Sequence, residues 1–169
     1  MTARKSLWIL FGILIVSAWV LGFSVQARPE TLKCKSETKQ SVRADEQAAD
    51  AYFLGVNSRV GSFTCENGDE GMVNSYAVWE ANWPREVITQ IYTVYRFKDM
   101  SKIITKGTVI QTQDPKGEAE WIWEGTSEII RGGYRFNGIK GNVSFKGKQV
   151  PPEKKSINEL TLTYTLPPK

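Results

Sequence analysis

Apolar and polar positions alternate along much of the chain with the period of two that a half-buried strand requires. In Met72–Glu80, Val73, Ser75, Ala77 and Trp79 share one parity, and Asn74, Tyr76, Val78 and Glu80 the other. Arg85–Asp99 and Lys102–Asp114 are rich in β-branched and aromatic residues. With the short Lys98–Ser101 loop between them they read as one long hairpin. A turn follows at Asp114–Gly117, with Pro115 in its second position. Glu118–Ile130 is the next strand, and Asn142–Gly147 and Asn158–Leu166 are two more. Lys148–Ser156 is expected as a loop, because Pro151 and Pro152 cannot donate ladder bonds. Glu66–Gly71 reads as a turn between strands. The one helical candidate is Ser41–Gly55, where alanines and acids around Arg43–Asp50 favour a turn or two of helix. About eight short-spaced strands make the chain all-β, an antiparallel, roughly eight-stranded closed barrel of up-and-down type. Its interior has room for packed side chains or one small ligand.

Six glycines punctuate Glu124–Gly147, at 125, 132, 133, 138, 141 and 147. A phosphate loop fails here. Gly133 and Gly138 have the right separation, but Ile139 stands where the lysine belongs and Lys140 comes one residue late. No G-x-G-x-x-G is present, and no amphipathic helix follows. The glycines instead suit a strand end at Gly132-Gly133 and a tight turn with positive φ around Gly138 and Gly141.

The N-terminus changes the picture of where the protein works. Arg4 and Lys5 precede the uncharged run Leu7–Phe23, and Val25 and Ala27 supply the small residues of a peptidase site. A secretory signal peptide over residues 1–27 is expected, cleaved after Ala27, with residues 28–169 as a single β-barrel domain in a secreted or periplasmic compartment. The alternative is a membrane anchor formed by Leu7–Phe23, the one route to membrane contact. Without Arg4 and Lys5 the 22 basic residues become 20 against 18 acids, a net charge of about +2 with scattered bases, which gives no reason to expect a nucleic-acid partner. Cys34 and Cys65 both lie in the exported part, and two cysteines permit one intramolecular disulfide. The chain has no histidine. That excludes imidazole bases, Ser-His and Cys-His nucleophiles and His-ligated zinc together.

Two segments carry a resemblance. Phe97, Asp99, Ser101 and Gly107 mark the Tyr95–Gly107 hairpin, and Gly133, Arg135, Phe136, Gly138, Ile139 and Gly141 mark the later glycine-rich return. Over roughly Tyr92–Gln149 the chain resembles secreted bacterial relatives of the allene oxide cyclase and dirigent barrels. Met100 and Tyr134 depart from that pattern. The resemblance implies a closed barrel and admits a homo-oligomer. No catalytic residue of the plant cyclases aligns, so none is carried over.

A site in such a fold belongs in the barrel interior or mouth. The aromatic residues available include Trp79, Trp83, Tyr92, Trp121 and Trp123, accompanied by Glu80, Glu124 and Arg131. Trp79, Glu80, Tyr92, Trp121, Trp123, Glu124 and Arg131 are the candidate ligand-binding residues. Strand parity puts Glu124 opposite Trp123, so Glu124 lines the interior only if the tryptophans point outward or a bulge at Gly125 resets the alternation. No catalytic residue, metal ligand or cofactor is assigned. The expected function is a non-enzymatic exported barrel, either a structural or interaction module or a binder of a small apolar molecule. The alternative is a cofactor-free isomerase or cyclase that uses a buried carboxylate or tyrosine. Intact mass spectrometry of protein from its own host is expected to show a chain beginning at Arg28 and lacking the two thiol hydrogens; a full-length or reduced mass contradicts the leader or the disulfide.

Overall fold

The computed structural model describes residues 28–82, 86–117, 119–151 and 155–168. The expected leader and anchor at 1–27 and Trp83 lie outside them.

Eight strands follow one another: β1 (Glu30–Ala49), β2 (Tyr52–Cys65), β3 (Glu70–Asn82), β4 (Glu86–Phe97), β5 (Lys102–Gln113), β6 (Trp121–Gly133), β7 (Lys140–Val150) and β8 (Lys155–Thr165). Each pairs antiparallel with the next, and β1 pairs with β8 from Glu30↔Tyr164 to Lys39↔Lys155, which closes the barrel. The alternation read from the sequence sets the two faces. Along β1, Leu32, Cys34, Ser36 and Thr38 are buried while Lys33, Lys35, Glu37 and Lys39 face out. The Lys98–Ser101 and Asp114–Gly117 turns fall where expected, and so does the turn after Cys65.

Arg43–Asp50 is not helical. Arg43–Ala49 continues β1, in register with β2 from Arg43↔Asn57 to Gln47↔Phe53 and, after a shift, at Ala49↔Tyr52, and Ala51 turns the chain with φ 58°. A helix of one or two turns is marginal by itself, whereas the hairpin satisfies the same backbone groups with a full ladder. Beyond Lys39, β1 pairs with β2 alone among the described residues. The expected Lys148–Ser156 loop is likewise shorter than predicted. Lys148↔Ile157, Gln149↔Ser156 and Val150↔Lys155 extend the β7–β8 ladder nearly to the prolines.

The glycine-marked return closes one end of the barrel. β6 stops at Gly133, a 3-10 turn over Tyr134–Phe136 follows, and Gly138 adopts φ 77° before β7 begins. Phe136 is thereby pressed inward. Its ring lies 4.9 Å from Phe97 and 6.1 Å from Tyr164, and Phe63 meets Phe97 at 5.0 Å and Tyr95 at 5.6 Å, mostly edge to face. Ile103, Val143 and Leu162 belong to the same core, each at most 2% exposed. Aromatic contacts of this kind add to the burial of large apolar areas.

Cys34 and Cys65 are bonded, opposite one another on β1 and β2 and 31 residues apart in sequence. The bond ties this packed end together and suits an oxidising environment. Replacing both cysteines with serine is expected to lower stability by about 3–4 kcal/mol on loop-closure arguments. Urea denaturation under non-reducing conditions measures the loss, and an unchanged midpoint contradicts it.

Candidate functional site

The barrel interior is divided along its axis. At the end opposite the aromatic plug, Trp79, Ala81 and Val87 form a second small core with Phe53 and Trp121 packed against it. This core lines a cavity of about 250 Å³. Amide and charged groups complete the wall: Gln40, Asn57, Gln111 and Gln149, with Arg43, Asp45, Arg59 and Glu120. A deeper space of about 80 Å³ continues toward the plug, and Asn57, Arg59 and Gln111 line both. Buried hydroxyls line this deeper space as a band: Ser36, Thr38, Thr89, Thr93 and Ser156. The Thr38 and Thr89 hydroxyl oxygens have no hydrogen-bond partner in the structure.

Two of the indoles are positioned by glycines on neighbouring strands. Gly55 pairs with Trp79, and a Cβ on Gly55 would sit 2.3 Å from the indole. Gly147 pairs with Trp123, and a Cβ there would sit 2.5 Å from both the indole nitrogen and Asn158 Oδ1. In the space that Gly147 leaves, Trp123 Nε1 donates to Asn158 Oδ1 at 2.8 Å, and Asn158 Nδ2 donates to Ser36 Oγ at 3.1 Å. The network holds Trp123 against the polar band.

Charge enters the cavity from two arginines. Arg43 lies 5.3 Å above the Trp79 ring and makes a two-point contact with Asp45, both bonds at 3.1 Å. Arg59 donates to Ser156 Oγ and lies 5.8 Å from the Trp123 ring centre. Burial pulls its pKa below the ordinary arginine value, and the charge of Arg43 pulls it the same way.

The seven sequence candidates separate into two groups. Trp79, Trp121 and Trp123 face inward and line the interior spaces. The other four are exposed. Glu80 accepts a hydrogen bond from the Tyr52 hydroxyl at 2.8 Å. Tyr92 pairs with Tyr76 on the outside, with the Lys106 ammonium 5.5 Å from its ring. Glu124 lines a broad outer concavity that it shares with Lys33, Lys35 and the Lys146–Glu159 pair. The bulge in β6 sits at Ile130 rather than Gly125, because Thr105 pairs with Ile129 and Ile104 with Arg131. That extra residue puts Arg131 on the outward parity of Ile104. Arg59, Asn57 and the hydroxyl band escaped the sequence reading. The signal for Asn57 and Arg59 was the parity they share with Phe63 and Cys65, which becomes readable once Cys65 is placed inside.

Acid–base machinery is sparse. No Asp or Glu is buried among the described residues. Asp45 is engaged by Arg43. Tyr95 reaches the deeper space, but burial drives its phenol far above the usual range, so it holds its proton and cannot act as a base near neutral pH. No group of three or more metal-ligating side chains occurs among the described residues. The chain matches no protein-family model, no curated protein and no solved structure at a significant level.

The two buried phenols make the fold sensitive to strong alkali. Burial and the 2.8 Å hydrogen bond to Glu30 push Tyr164 up to about 12. Folding therefore favours the protonated phenols, and that stability is complete below the ordinary tyrosine value of 10.0 and is lost as pH climbs toward about 12. Urea midpoints are expected to fall across this interval, and Tyr164→Phe to flatten the fall. An equal slope in the variant contradicts the assignment.

Proposed function

We propose that this protein is an exported, non-enzymatic barrel that binds a small molecule with a flat apolar body in the cavity bounded by Phe53, Trp79 and Trp121. One observation carries the reading: the interior is filled at the plugged end and hollow at the other, with aromatic walls around the hollow. A barrel that served only as a scaffold would gain stability by filling that volume. About 250 Å³ is slightly below the ~300–1,000 Å³ of most ligand sites, which limits the guest to one or two rings. The leader-like N-terminus and the disulfide support export. The isomerase alternative has weaker support, since among the described residues the carboxylates at the cavity are an ion-paired Asp45 and the exposed Glu120.

Calorimetric titration with 2-naphthamide, a neutral two-ring probe, tests the reading. Saturable binding is expected, weakened about tenfold or more by Trp121→Ala, in the range usual for loss of an aromatic anchor. Trp121→Leu, which keeps more of the packing, should fold like the parent chain and still bind less well. Absence of saturable binding to the parent chain, with no small molecule retained by protein from its own host in native mass spectrometry, contradicts the proposal.

A further inference from the structure

The binding reading leaves the interior chemistry of Arg59 unused. A guanidinium carries five N–H donors in a planar fork and stays charged. Arg59 directs one hydrogen bond to a neutral hydroxyl, Ser156 Oγ, and its charge rests near the Trp123 ring. It makes no ion pair with any described residue. Asp45, the acid of its own hairpin that lines the same cavity, is held by Arg43 through both carboxylate oxygens. The other carboxylate at the cavity among the described residues, Glu120, is exposed at the end of the loop before β6. The electrostatic surroundings agree: burial, and then the charge of Arg43, both disfavour the charged form of Arg59. Charges partly withdrawn from water are ordinarily paired, and half-buried Arg59 has no carboxylate partner among the described residues.

Its position points to the missing partner. Arg59 lines both the aromatic cavity and the deeper space. The deeper space also presents the two unsatisfied hydroxyls, Thr38 and Thr89. Thr38 lies beside Arg59 on the inner wall, since Gln40 is the direct partner of Arg59 and Thr38 is one inward step along β1. A guest oriented with its polar head down would place that head among a charged fork, two free hydroxyls and the amides of Asn57 and Gln111. Its body would lie between Trp79 and Trp121. One unpaired positive charge calls for one negative charge, and the fork geometry matches a carboxylate's two oxygens.

Resting on the binding reading above, we propose that the ligand is a small aromatic or alicyclic carboxylate, with its carboxylate on Arg59 and its ring in the Trp79–Trp121 cavity.

The test compares two probes of one shape, 2-naphthoate and 2-naphthamide, titrated calorimetrically at neutral pH into the disulfide-intact chain. Naphthoate is expected to bind about tenfold or more tightly, as befits a charge-assisted two-point contact. Arg59→Met, which keeps the apolar stem, should abolish that preference and bring the two probes to within about twofold of each other, whatever the change in their absolute affinities. Arg59→Lys keeps the charge without the fork and should retain part of the preference, which covers the case in which the methionine variant fails to fold. Added sodium chloride should weaken naphthoate and spare naphthamide. Equal affinity for the two probes in the parent chain, or a preference that survives Arg59→Met, overturns the carboxylate assignment while leaving the cavity a binding site. Failure of both probes removes the binding reading itself, a separate result.

Discussion

The ladder between β1 and β8 is the constraint from which the rest of the molecule follows. Ten residues of each strand pair in register, from Glu30↔Tyr164 to Lys39↔Lys155. With that ladder in place every strand has two neighbours, and the sheet has an inside that side chains can leave only by crossing a wall. Inward groups must then pack, find partners within the barrel, or wait for something to enter. Without it the same eight strands would form an open sheet with two long edges, and Arg59 would simply reach solvent.

The chain spends its interior unevenly. The plugged end has the disulfide, the aromatic cluster and the glycine-kinked return that drives Phe136 inward. This concentration of apolar burial stabilises the fold from one side. The other end is thereby released from packing duty and can tolerate an unfilled volume, amide side chains and two arginines. Sites tend to sit where stability is supplied from elsewhere. The same division explains why β1 outlasts its pairing with β8: its distal half, with Arg43 and Asp45, serves the cavity wall rather than the closure.

Much of the fold was legible because alternation, turns and cysteine count report on local geometry. The Arg85–Asp114 hairpin, the paired cysteines and the closed eight-stranded barrel all follow from such signals. Legibility ended where one added or subtracted residue changes a face. Glu80 and Glu124 adjoin tryptophans in sequence, and on a strand that adjacency guarantees opposite sides. Arg131 shares parity with Trp121 and Trp123 by counting, yet the bulge at Ile130 turns it outward, and nothing in the residue types around it announces the extra step. Arg59 was hidden differently. In Tyr52–Leu54 three apolar residues run together, which blurs the parity of β2, so a base seven positions later reads as surface charge. The helix expected at Arg43–Asp50 failed because local composition was weighed without the β2 strand that captures it.

The glycines opposite the tryptophans carry a further lesson about how such an interior changes over time. At Gly55 and Trp79, and again at Gly147 and Trp123, a ring on one strand occupies volume vacated by a hydrogen atom on the next. The cavity's dimensions are therefore a property of rungs rather than of positions. Bulk can migrate sideways across a rung, from one strand to its neighbour, and reshape the hollow without altering the total volume packed there. In a wall built this way, the residue that governs what fits is as readily the one with no side chain as the one with the largest.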